Sequence, residues 1–102
     1  MNRREYLLTC LMEEANEVAK AASKAIRFGI MEVYPNTNET NIDRLSRELN
    51  DLRAVTEMVE SDVMTEDPFF LSKAMDKDHR AQKKVKMEHY MEYSQALGVL
   101  EK

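Results

Sequence analysis

Two pairs of carboxylates in this sequence have the spacing of a metal-binding site. Glu14 is followed three residues later by Glu17, and Glu48 is followed three residues later by Asp51. Residues three apart on a helix lie only about 60° apart around its axis, so each pair presents two carboxylates on one face. Carboxylates alone form a hard oxygen site, which suits Mg²⁺ or Mn²⁺. The spacing therefore predicts a divalent-metal site between two facing helices.

Both pairs lie on or beside the apolar stripes of their helices. The apolar positions of the first helix are Leu7, Leu11, Val18, Ala21, Ala22 and Ala25, and those of the second are Leu45, Leu49, Leu52, Val55 and Val59. A surface helix normally keeps carboxylates off its core stripe, and burying an unpaired carboxylate costs several kcal/mol. Four carboxylates on facing stripes would repel one another unless a cation lay among them.

An ordinary solvated helix face is the competing interpretation. Charged residues make up 33% of the chain, so two glutamates three residues apart are unsurprising in any one helix. Glu17 could pair with Lys20 or Lys24 on the helix surface, which contributes a few tenths of a kcal/mol. Two pairs of equal spacing, each on the apolar border of a separate helix, favour the metal site over this alternative.

A carboxylate site that acts on phosphates also needs cations nearby. The candidates for substrate binding are Lys20, Lys24 and Arg27 on the first helix, and Lys83 and Lys84 near the C terminus. On the helical wheel Lys24 lies nearly in line with Glu17, which makes the first group the better placed. Solvent-exposed surface lysines are the alternative for both groups.

Composition limits the class of protein. The chain has 102 residues, which predicts one domain over residues 1–102, and few helix breakers, with two Gly and two Pro, which predicts an all-α fold. Its net charge of −4 argues against a nucleic-acid partner. A single cysteine, Cys10, excludes an intramolecular disulfide and favours a reducing compartment. Without a signal peptide or a membrane-spanning stretch, the expected location is cytoplasmic.

Local signals divide the chain into helices. The first is predicted from about Arg3 to Phe28, with Gly29 as its C-cap. A loop follows over residues 30–39, and the second helix is predicted from Thr40 or Asn41 to about Glu60. Thr40 and Asp43 resemble a capping box at its start.

Two more helices are predicted in the last third of the chain. Pro68 is expected as the first residue of a short apolar helix. The last helix is predicted from about His79 to Leu97, with a basic N-terminal half and a Met-rich apolar side. An apolar surface this large on so short a chain predicts self-association, with the last helix contributing to the interface.

The E-E-x-x-E-V sequence at residues 13–18 and the E-L-x-D-L sequence at residues 48–52 resemble the MazG-like all-α nucleoside triphosphate pyrophosphohydrolases. The resemblance implies a four-to-five-helix bundle that forms a homodimer or homotetramer. It also implies a Mg²⁺-dependent hydrolase acting on acid anhydrides, which cleaves a nucleoside triphosphate between the α- and β-phosphates into monophosphate and pyrophosphate. Carried over by position, the metal-binding and catalytic residues are Glu14, Glu17, Glu48 and Asp51.

Two other functions fit parts of the sequence. Di-iron carboxylate bundles use Glu-x-x-His pairs, whereas the residues three after Glu14 and Glu48 are Glu17 and Asp51, so that site is disfavoured. A non-enzymatic helical interaction module would keep the carboxylates on the surface. It would show neither turnover nor a response to metal.

Overall fold

The computed structural model describes residues 1–101, and its regular secondary structure is helical. The helices are α1 (Arg3–Phe28), α2 (Asn41–Val63), α3 (Phe70–Ala74) and α4 (Lys77–Ala96). Within the described residues, β-type backbone pairing is limited to an isolated antiparallel bridge between Val33 and Thr40. The predicted all-α class is therefore confirmed. None of the helices within residues 1–101 has the combined length and apolar content needed to cross a bilayer.

The bounds of α1 are those that the sequence predicts. The Asn2 side chain accepts a hydrogen bond from the Glu5 backbone N–H at 2.8 Å, which caps the first turn. At the other end Gly29 adopts φ 98° and its N–H donates to the Ala25 carbonyl at 3.0 Å. Glycine tolerates this positive φ at no steric cost, so the chain leaves the helix there.

The start of α2 is fixed by the predicted capping box. The Thr40 hydroxyl accepts from the Asp43 N–H at 3.2 Å, and the Asp43 carboxylate accepts from the Thr40 N–H at 3.1 Å. The helix continues to Val63, three residues beyond the predicted end at Glu60. Arg4 of α1 stabilises these last residues of α2, because its Nε donates to Asp62 Oδ2 at 2.7 Å.

The last two helices begin at other residues than the sequence predicts. Pro68 lies in a turn and α3 starts only at Phe70, so the prediction of Pro68 as a first helical residue was wrong. The α4 helix starts at Lys77, two residues before the predicted His79, because the Asp76 side chain accepts from the His79 N–H at 3.0 Å and caps the helix there.

Residues 1–68 and residues 69–101 belong to two compact units. In the first unit α1 and α2 pack against each other as an antiparallel helical hairpin. Arg4 ties the open end of the hairpin, with Nη2 donating to the Asp62 carbonyl at 3.1 Å and Nη1 pairing with Glu66 at 2.8 Å. Within residues 1–101 the buried apolar side chains are Leu7, Ala21 and Val59, all on the predicted stripes.

One predicted stripe residue lies outside the core. Leu49 is exposed, although Leu45, Leu52 and Val55 around it are half-buried. In a two-helix unit only one narrow side of α2 faces α1, so the edge of a broad apolar stripe stays in solvent.

The segment that connects α1 and α2 closes on itself through backbone hydrogen bonds. The Tyr34 N–H donates to the Glu39 carbonyl at 2.7 Å, and the Asn41 N–H donates to the Glu32 carbonyl at 2.9 Å. The buried Asn41 side chain donates to the Gly29 carbonyl at 2.8 Å and ties the two ends together. Residues 29–41 therefore form a fixed loop, called here the connecting loop.

Candidate metal centre

Three of the four predicted carboxylates converge across the helical hairpin. Glu14 of α1 meets Glu48 and Asp51 of α2, and one carboxylate oxygen from each lies within 4.8 Å of the others. The i, i+3 spacing on α2 puts Glu48 and Asp51 on one face. Antiparallel packing sets that face against the middle of α1. These three residues are called the acid cluster below.

The acid cluster reaches from the core to the solvent. Glu48 is buried, with 7% of its surface exposed, whereas Glu14 is half-buried and Asp51 is exposed. A buried carboxylate without a counter-ion is costly, and no cation pairs with Glu48 within residues 1–101. The position therefore suits a divalent ion that reaches the cluster from solvent on the Asp51 side.

The charges within the cluster oppose one another. Partial burial raises the pKa of Glu14 above its ordinary value, and repulsion from Asp51, Glu48, Glu17 and Glu13 raises it further. Desolvation and like charges both disfavour the ionised carboxylate. Glu14 thus holds a proton more readily than an isolated glutamate, and a cation that replaces the proton would relieve the same repulsion.

Glu17, the fourth predicted ligand, lies outside the acid cluster. Its carboxylate instead accepts from Lys20 Nζ at 3.3 Å, as an i, i+3 pair on the surface of α1. This is the helix-surface pair that the competing interpretation of the sequence describes. Glu17 is still close enough to raise the pKa of Glu14, so it contributes to the negative field of the site.

The donor set of the acid cluster fits Mg²⁺ or Mn²⁺. These ions prefer carboxylate oxygens, and Mg²⁺ keeps several waters beside one or two protein carboxylates. Glu14, Glu48 and Asp51 would hold such an ion, with one carboxylate oxygen from each already within 4.8 Å of the others. The exposure of Asp51 leaves room on one side for water or a phosphate oxygen.

The predicted phosphate-binding cations occupy three different places. Lys20 is exposed and pairs with Glu17. Lys24 and Arg27 lie towards the C-terminal end of α1 and face the connecting loop. Lys83 and Lys84 are exposed on α4 in the second compact unit.

A cleft of about 750 Å³ lies between the C-terminal end of α1 and the connecting loop. Its lining residues are Lys24, Arg27, Phe28, Glu32, Val33, Tyr34, Pro35, Asn36 and Asn41. The sequence identified its two cations, but not the cleft itself. The aromatic and amide residues that complete its lining have no periodic pattern in the sequence that would predict a cleft.

Tyr34 is held in the cleft by cations from both helices. Lys24 Nζ lies 5.1 Å from the centroid of the Tyr34 ring and 3.5 Å from its hydroxyl. The Arg44 guanidinium lies 4.8 Å from the same ring centroid. Cations over an aromatic face are attracted by its quadrupole, so the ring has a fixed position.

Comparison with known proteins identifies no relative. No protein-family description, curated protein or solved structure matches the chain. What the site can do must therefore be argued from its residues.

Proposed function

We propose that this protein is a metal-dependent nucleoside triphosphate pyrophosphohydrolase. The observation that supports the proposal best is the convergence of Glu14, Glu48 and Asp51 across two helices. The motif resemblance at residues 13–18 and 48–52 implies a Mg²⁺ site formed by these three residues together with Glu17. An ion held there would bridge phosphate oxygens, neutralise their developing charge and activate a water.

The chain's own residues have separate tasks in this reaction. Glu48 is the buried anchor of the site, while the exposed Asp51 meets the substrate side. A carboxylate oxygen that is not bound to metal can take a proton from the attacking water. Glu14, Glu48 and Asp51 each carry two carboxylate oxygens, so any of the three fits that task. Lys20, released from Glu17, could neutralise a phosphate oxygen.

The balanced reaction consumes one water and breaks one phosphoanhydride bond. The water oxygen attacks a phosphorus atom of the linkage between the α- and β-phosphates, and the bond from that phosphorus to the bridging oxygen breaks. The products are a nucleoside monophosphate and pyrophosphate. Positioning and charge neutralisation account for most of the work in such a reaction. Two packed helices with carboxylates at i and i+3 supply the fixed positions that substrate positioning and charge neutralisation both require.

Product identity tests the proposal. The full-length protein is incubated with a panel of common and oxidised nucleoside triphosphates and Mg²⁺ or Mn²⁺, and the products are separated by chromatography. Monophosphate with pyrophosphate is the expected result. Orthophosphate with a nucleoside diphosphate would mean attack at the γ-phosphate and would refute the mechanism.

A ligand substitution tests the site. Glu48→Gln removes the buried charge at nearly constant size and is expected to lower kcat at least about 10²-fold, as loss of one preorganised stabilising group does. Glu57→Gln, an exposed substitution on the same helix, is the matched control and should keep kcat. Equal rates for both variants would remove the acid cluster from the chemistry.

A helical interaction module is the second candidate function. The observation in its favour is that apolar side chains of the second unit, such as Val85, Tyr90 and Tyr93, are exposed. This function predicts no turnover of any triphosphate and no change in stability with Mg²⁺ or Mn²⁺.

A further inference from the structure

The cleft at the connecting loop has the features of a binding site. Its volume of about 750 Å³ falls in the range of small-molecule pockets, roughly 300–1,000 Å³. Its walls combine aromatic and aliphatic side chains with a few polar groups. The connecting loop is closed by its own hydrogen bonds and by the Asn41 side chain, so the cleft is preformed.

The cations of the cleft are available to a ligand. No carboxylate lies within ion-pair distance of Lys24 or Arg27 among residues 1–101. Lys24 is engaged only with Tyr34, and the Arg27 guanidinium lies 5.1 Å from the Phe28 ring centroid. Glu32 is the carboxylate among the lining residues. The two cationic side chains, Lys24 and Arg27, outnumber this one carboxylate, so the cleft attracts an anion.

The cleft is separate from the acid cluster. Arg27 is thirteen residues beyond Glu14 on α1, which corresponds to about 20 Å along the helix axis. On α2, Asn41 precedes Glu48 by seven residues, or about 10 Å. None of Glu14, Glu48 and Asp51 lines the cleft, so the cleft and the acid cluster are different places on the hairpin.

We propose that this cleft binds a nucleoside monophosphate without any metal ion. Arg27 and Lys24 hold the phosphate, and the base packs on the exposed ring of Phe28 and the fixed ring of Tyr34. Aromatic rings hold bases by stacking, and a guanidinium binds phosphate through charged hydrogen bonds. Glu32 accepts hydrogen bonds from N–H groups on the base edge. The site does not depend on whether the acid cluster hydrolyses triphosphates.

Calorimetric titration of the full-length protein with GMP in EDTA tests this site. GMP is the probe because its base edge carries N–H donors for Glu32. Guanosine lacks the phosphate that Arg27 and Lys24 hold, and inorganic phosphate lacks the base that the aromatic rings hold. Each is therefore expected to bind at least about 10-fold more weakly than GMP. No GMP binding at millimolar concentration, or equal binding of inorganic phosphate, would overturn the proposal.

Two cation variants locate the binding. Arg27→Gln and Lys24→Gln are each expected to weaken GMP binding at least about 10-fold, the effect of losing one charged hydrogen bond. Arg53→Gln, an exposed arginine of α2 away from the cleft lining, is the matched control and should bind as the wild type does. Equal affinity of Arg27→Gln and Arg53→Gln would contradict the assignment.

A further variant separates this cleft from the acid cluster. Glu48→Gln should bind GMP in EDTA as tightly as the wild type, because Glu48 does not line the cleft. Altered affinity in Glu48→Gln, and above all the tighter binding expected when a carboxylate near the phosphate is neutralised, would place GMP at the acid cluster and overturn the proposal. Absence of triphosphate turnover would count against the proposed enzyme only, since GMP binding is measured without metal and without turnover.

Discussion

At the scale of single residues, the acid cluster holds like charges together in a partly dry place. Packing of α1 on α2 brings Glu14 to Glu48 and Asp51, and nothing in the described residues neutralises them. Desolvation and like charges both disfavour ionised carboxylates at such a place. The stability of the metal-free protein should therefore depend on the charge of Glu14.

The raised pKa of Glu14 has a definite consequence for stability against pH. The folded chain holds the Glu14 proton to a higher pH than the unfolded chain does, so ionised Glu14 destabilises the fold above its folded pKa. This penalty disappears as the pH falls through the folded pKa towards about 4.3. In EDTA, Glu14→Gln is expected to melt above the wild type at about pH 7.5, and no higher at about pH 4.

A matched variant controls for the general loss of one negative charge. Glu57→Gln also removes a carboxylate from the hairpin, but from an exposed position. Its melting temperature should stay close to that of the wild type at both pH values. If Glu14→Gln raised the melting temperature equally at both pH values, titration of Glu14 would not be the cause of the rise.

The metal ligands can be separated by their effect on melting. An ion that binds only the folded protein adds RT ln(1 + [L]/Kd) to its stability, about 2.7 kcal/mol at a concentration of 100 Kd. Mg²⁺ or Mn²⁺ should raise the melting temperature of the wild type, and Glu48→Gln should lose most of that rise. Glu17→Gln should keep it, because Glu17 pairs with Lys20 outside the acid cluster. A lost response in Glu17→Gln would return Glu17 to the ligand set.

At the scale of elements, the start of α2 depends on one hydroxyl. Thr40→Ala removes the acceptor for the Asp43 N–H and is expected to destabilise the protein by about 1 kcal/mol. For a chain of this size the melting temperature should fall by about 4–8 °C in a thermal scan. Thr40→Ser keeps the hydroxyl and is the control. An unchanged melting temperature in Thr40→Ala would show that the cap does not limit stability.

The helices themselves could largely be predicted from the sequence because their signals are local. Glycine at position 29 and the capping box at Thr40 act within one turn, and both are where the sequence puts them. The end of α2 depends on Arg4, 58 residues earlier in sequence than its partner Asp62. A single sequence does not reveal such a long-range contact, which is why the predicted end was three residues short.

The candidate site could be predicted in part, for a similar reason. Helical spacing was enough to place Glu14, Glu48 and Asp51 on facing stripes. It did not decide between the metal site and the surface pair for Glu17, because Lys20 lies one turn away and competes for it. The cleft depends on hydrogen bonds that close the connecting loop, such as Asn41 to Gly29, and these have no periodic signal.

At the scale of the whole molecule, the described chain leaves much apolar surface in water. Among residues 1–101 few apolar side chains are buried, and large ones such as Met12 and Ile26 remain exposed on α1. Met87, Tyr90 and Met91 of α4, together with its C-cap residue Leu97, are exposed apolar residues at helical spacing and are called the apolar stripe of α4 below. Contiguous apolar surface on a small soluble chain is typical of a surface that associates with another chain.

Self-association through α4 is the expected use of this stripe, and a single charge should disrupt it. The wild type should sediment as a homodimer or homotetramer at micromolar concentration in analytical ultracentrifugation. Met91→Glu places a carboxylate in the middle of the stripe, where burial would desolvate it, and should shift the protein to monomer. Gln82→Glu adds the same charge to an exposed position of α4 outside the stripe and should leave the oligomer intact. A wild type that is monomeric at micromolar concentration, or an equal loss of assembly in both variants, would show that the apolar stripe of α4 does not join the subunits.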